Sequence, residues 1–100
     1  MYATFVEINA DESQIDAARE TVQRFAVPRA RESGAKAGYW LAPIGGRGIS
    51  IVVFDTEESA RQVAARFEVG QPPPAAPGAP AATVKSVEVR EVLASLDGGA

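Results

Sequence analysis

Two rhythms of apolar and polar positions run through the chain and mark its elements. Residues 2–9 (YATFVEIN) alternate strictly, with Tyr2, Thr4, Val6 and Ile8 on one side and Ala3, Phe5, Glu7 and Asn9 on the other. The segment is predicted as a strand with neither side wholly polar. Ile15, Ala18, Val22, Phe25 and Ala26 then recur at helical spacing and predict one amphipathic helix. Asp11 stands where its N-cap belongs, with Gln14 three residues on to complete a capping box. Pro28 lacks a backbone donor and crowds the preceding turn, which predicts a kink or a restart through residues 29–32 before Gly34 stops the helix.

Residues 38–55 (GYWLAPIGGRGISIVVFD) organise the rest. The runs at 39–42 and 49–54 are rich in aromatic and β-branched types, and the glycines at 45, 46 and 48 lie between them, so a β-hairpin is predicted, with Pro43 ending its pairing. Asp55 or Thr56 caps a second helix with Glu57 and Glu58 in its first turn, Ala60, Val63, Ala64 and Phe67 as its stripe and Gly70 as its end. Residues 71–82 (QPPPAAPGAPAA) hold five of the seven prolines and no charge. They predict an extended, polyproline-like surface connector and not a packed element, with a PxxP-type partner contact as the other use of such a run. Residues 83–93 (TVKSVEVREVL) predict the last strand, whose change of phase near Glu91, Val92 and Leu93 suggests a bulge or the end of regular pairing. Residues 97–100 form a tail.

The order strand, helix, strand, strand, helix, strand defines an α+β fold, a ferredoxin-like βαββαβ arrangement over residues 1–100 with a four-stranded antiparallel sheet and two helices on one face. The strands are nevertheless apolar on both sides. Ile49, Ile51 and Val53 alternate with Val52 and Phe54, and Tyr39 and Leu41 with Trp40 and Ala42. The economical cover for the second face is another copy of the same sheet, so a homodimer is expected.

Composition narrows the chemistry. A chain of 100 residues makes one domain with a small core. Without cysteine there is no disulfide and no thiolate zinc, and without histidine the commonest general base and transition-metal ligand are missing too, so no metal is expected. The net charge of -3 comes from 13 acids and 10 bases, and the arginines are scattered. Nucleic acid is therefore not an expected partner, and an RNA-binding module of the same element order would need exposed aromatics with basic neighbours. No stretch approaches the roughly 20 apolar residues of a membrane span, and Met1 leads straight into a strand, so a cytoplasmic protein without membrane contact is expected.

Residues 2–20 (YATFVEINADESQIDAARE), residues 38–67 (GYWLAPIGGRGISIVVFDTEESARQVAARF) and the valine-alternating last strand resemble the dimeric α+β barrel superfamily, in the branch similar to antibiotic-biosynthesis monooxygenases. The resemblance covers nearly the whole chain except the proline connector. Its most telling parts are Gly38 before Tyr39 and Trp40, and FDTEESA at 54–60. It implies dimerisation sheet to sheet, and a pocket in each subunit between helices and sheet for a small aromatic or polyketide-like molecule. In the enzymes of that branch the substrate's own carbanion meets dioxygen without metal or flavin, while the protein holds the anion and excludes water, so the resemblance implies no cofactor. Haem-degrading relatives use a histidine that this chain lacks.

The candidate residues follow from that pocket. Asn9 and Trp40 are candidates for catalysis, and Asn9, Phe25, Trp40 and Phe67 for ligand binding. Each has a plainer use: Asn9 as a strand-end turn residue, Trp40 as a core or interface aromatic, Phe25 and Phe67 as core. Arg47 offers either an anion clamp or a solvated hairpin tip, the tip being expected, and GGRG is no phosphate loop because no helix follows it directly. Glu7 either faces a cavity or reaches solvent at the sheet's edge, the edge being expected, and a general base is missing unless it or another acid serves. Two functions compete: a dimer that binds a small apolar or aromatic molecule and, as the alternative, a cofactor-independent monooxygenase.

Overall fold

The computed structural model describes residues 1–75 and 78–96. Its elements are β1 (Tyr2–Ala10), a 3-10 turn (Glu12–Gln14), α1 (Ile15–Thr21), a π-helical turn (Val22–Ala26), α2 (Val27–Glu32), β2 (Ala37–Ile44), β3 (Arg47–Phe54), α3 (Glu57–Ala64) and β4 (Ala82–Glu91). The four strands form one sheet in the order β2-β3-β1-β4 with every neighbouring pair antiparallel. This is an α+β fold of ferredoxin-like order.

Register decides which side of each strand meets the helices. Thr4 lies opposite Val52 on β3 and Val89 on β4, and its Oγ1 donates to the carbonyl of Ala60 in α3 at 2.8 Å. The even positions of β1 and β3 therefore face the helices. Val52, Phe54 and Ala60 form the buried centre there, with Tyr2, Ala30, Trp40, Val63 and Val89 packed against it. The odd positions form the other face, where Tyr39, Ile51, Phe5 and Glu88 make one cross-strand row.

The first helix runs from Ile15 to Glu32 despite Pro28, because the turn before the proline widens. The Val27 N–H reaches back five residues to the Val22 carbonyl, which re-spaces the backbone where the proline ring would crowd the previous turn. Ile15, Ala18, Val22, Phe25 and Ala26 are all half-buried, as their spacing predicts. Asp11 accepts from the Ser13 N–H at 2.9 Å as the N-cap. At the far end Gly34, at φ 90, lets Ala35 N–H bond the Ala30 carbonyl, a Schellman closure.

Three expectations are corrected. Pro43 does not end the hairpin: β2 continues through an irregularity between Leu41 and Ile44, which an edge strand tolerates, and Gly45 and Gly46 (φ 63 and 76) make the two-residue turn. The second helix stops at Ala64, well before Gly70, with Thr56 as its cap. β4 ends at Glu91, where the change of phase predicted the end of regular pairing, and it carries a separate bulge at Lys85, opposite the step from Glu7 to Ile8. The proline segment is packed: Pro73, Pro74, Ala79 and Pro80 are half-buried, and both ends of the loop are tied by Gly70 N–H to the Val84 carbonyl and Val84 N–H to the Gln71 carbonyl, each 2.8 Å. Residues 76–77 of that segment, and the tail at 97–100, lie outside the described residues.

Candidate functional site

The long first helix and α3 do not close over the whole sheet, and the gap between them is where the proline segment folds back. The result is a partly enclosed cavity of about 180 Å³. Val6, Ser50 and Trp40, a cross-strand row on β1, β3 and β2, form its floor, and the first helix supplies Val22 and Phe25. Phe67 closes one side, and Pro73, Pro74, Ala79 and Pro80 form the outer wall. A smaller recess of about 70 Å³ adjoins it, sharing Phe25, Trp40, Ser50, Phe67 and Pro74 and adding Arg29 and Arg66.

Trp40 owes its place to Gly38. Both project from the helix-facing side of β2, and a methyl group at position 38 would lie 2.7 and 2.8 Å from two carbons of the indole ring. The ring thus lies directly over the glycine, which only a residue without Cβ permits. Arg29 packs over Phe25, its guanidinium carbon 5.0 Å from the ring centroid.

Phe25, Trp40 and Phe67, read from the sequence as ligand candidates, come together on this one cavity. Asn9 does not join them. It occupies the odd side of β1, is exposed, and its amide donates to Thr83 Oγ1 at 3.4 Å. Ser50 was missed: it is the single polar residue in the run ISIVVF, and its parity puts it on the cavity floor. None of the side-chain hydrogen bonds among the described residues engages its hydroxyl.

Glu7 is neither at an edge nor at the cavity. It lies on the open face of central strand β1 with a side chain only 12% exposed, between Arg47 Nε at 2.9 Å and Lys85 Nζ at 3.2 Å. The Arg47 hydrogen bond above all, helped by Lys85 and opposed by partial burial, holds its carboxyl below the ordinary glutamate range. Arg47, its side chain 53% exposed beside the hairpin turn, is solvated as expected and at the same time pairs with Glu7. The lone carboxylate on the cavity wall among the described residues is Asp11, and hydrogen bonds from Ser13, its backbone N–H first, hold that group low as well. Both acids are weak bases. Among the described residues no group of three or more acidic side chains is placed to hold a metal ion, and no helix is long and apolar enough to cross a membrane.

Comparison with protein-family models, with curated proteins and with solved structures gave no match for this chain. The fold and the cavity define the class on their own: a ferredoxin-like α+β domain with an apolar, aromatic-lined hollow between its helices and its sheet.

Proposed function

We propose that the protein binds a small apolar or aromatic molecule in the proline-walled cavity, and that it does so as a homodimer paired sheet to sheet in the manner of the dimeric α+β barrels. One observation carries the binding: three aromatic side chains from three separate parts of the chain, Phe25, Trp40 and Phe67, converge on one apolar hollow with a lone serine on its floor. Concave, mostly apolar sites with few polar groups are the usual form of a small-molecule site. Binding is put ahead of oxygenation because the carboxylate at hand, Asp11, is held in its ionised form by Ser13 and makes a poor base for drawing a carbanion from a substrate.

Trp40 is the single tryptophan, so its fluorescence reports the cavity directly. Titration with benzyl alcohol and 4-methylphenol is expected to quench it saturably at or below millimolar concentration, and Trp40→Phe should bind the same compounds by calorimetry. Emission unchanged to ten millimolar, with no heat in either protein, would end the proposal.

A further inference from the structure

The charges around the recess say more than its shape. Among the described residues Arg19, Arg24, Arg47, Arg61 and Arg90 each pair with a carboxylate, as do Lys36 and Lys85. Arg29, Arg31 and Arg66 do not, and two of these three line the recess beside the aromatic cavity. A chain with a net charge of -3 has acids enough to pair them, yet leaves both arginines facing one hollow.

Three contacts fix their placement. Arg29 stacks its guanidinium over Phe25, whose ring lines cavity and recess alike. Arg66 donates from Nη1 to Ser33 Oγ at 2.9 Å, and Ser33 Oγ in turn donates to the Arg29 carbonyl at 2.9 Å, so one serine ties the two arginine-bearing segments together. Only one guanidinium nitrogen of Arg66 is used in this way, and the fork retains donors for an acceptor of planar, two-oxygen shape. The unengaged Ser50 hydroxyl stands where cavity and recess meet.

We infer that the ligand is a single-ring arene bearing one anionic group, an aromatic carboxylate being the simplest case. The ring occupies the space between Phe25, Trp40 and Phe67, and the anion lies in the recess with Arg29, Arg66 and Ser50 as donors. A cavity of about 150 Å³ takes benzene, so the about 180 Å³ here suits one ring with a short substituent. The recess of about 70 Å³ suits a carboxylate-sized group. On that scale three fused rings need more room than the enclosed part of the cavity offers. This inference rests on the proposed binding function and adds the charge and the size of the occupant.

Calorimetry with three probes separates the two. Benzoate should bind about tenfold or more tightly than benzyl alcohol, the counterpart of one charge-assisted hydrogen bond, and anthracene-2-carboxylate should bind at least tenfold more weakly than benzoate. Arg66→Gln should erase most of the preference for benzoate over benzyl alcohol, and Arg66→Lys should keep part of it. Raising the salt concentration should reduce the benzoate affinity alone. Equal binding of benzoate and benzyl alcohol overturns the anionic class and leaves the binding function standing. Equal binding of the one-ring and three-ring carboxylates overturns the size limit. Absence of binding by all three probes removes both proposals together.

Discussion

Thr4 is the polar residue on which the helix layer is fastened. Its side chain is 1% exposed, and its hydroxyl spends its proton on the Ala60 carbonyl, beside an alanine with no exposed surface at all. Thr4→Val keeps the shape and removes the donor, and should cost about 1 kcal/mol in a urea titration; an unchanged midpoint would mean that the bond is idle. Glu7 makes a pH-dependent contribution of opposite chemistry. Its folded value is lowered by Arg47 and Lys85, so its stabilisation is complete above the unfolded glutamate value of about 4.3 and is lost as pH falls through the lowered folded value. At pH 7 the wild type should therefore exceed Glu7→Gln in stability, and the gap should close at acid pH. A gap that stays constant down to pH 3 would show that the carboxylate's charge does not matter. Gly38 acts through space alone: Gly38→Ala must displace the Trp40 ring, so a shift in its emission maximum is expected together with weaker binding of benzyl alcohol.

Elements were legible where a period existed. The helical stripe from Ile15 to Ala26 and the alternation of β1 and β3 read directly, because a repeat of three to four or of two residues maps onto one side of a known backbone. The hairpin turn has a cleaner test than its pattern: an added Cβ at Gly45 meets nothing within 4 Å, so Gly45→Ala isolates the backbone cost of φ 63, about 1–2 kcal/mol. A loss below the error of a thermal melt would argue that the turn relaxes to another type. The proline segment has no period, and the two bonds that close it, between Gly70, Gln71 and Val84, use backbone atoms alone. Nothing in the side chains announces them, which is why an extended connector was expected and a cavity wall was found. Asn9 shows the same limit at the site. Both sides of β1 carry apolar residues, and which side meets the helices was settled by the register of Thr4 with Val52 and by its bond to Ala60. Ser50 had a signal that went unused, since it alone breaks the apolar run of β3.

At the scale of the whole molecule the open face of the sheet sets the argument. The chain exposes 6533 Å², against roughly 5,400 Å² for a compact monomer of its 10.5 kDa. The exposed large apolar side chains include Leu93 and Leu96 after β4, at 90% and 99%, and Tyr39 and Leu41 on the open face, at 61% and 53%. Around them on that face lie the half-buried Phe5, Ile49, Ile51 and Val53. Removing this row from water is what the proposed sheet-to-sheet homodimer would accomplish, and a stable interface of ordinary size buries about 1,200–2,000 Å² in total. Ile51 is at the centre of the row, between Tyr39 and Phe5, with its side chain away from the helix-facing core. Light scattering over a hundredfold dilution should give twice the chain mass for the wild type. Ile51→Glu should give the single chain mass with its circular dichroism retained, because the charge enters the open face and not the core. The neighbouring Val52→Glu, at 7% exposure on the helix side, should unfold instead. A wild type that is monomeric at every concentration, or an Ile51→Glu protein that still elutes as a dimer, would move the partner away from this face while leaving the cavity on the other side of the sheet untouched.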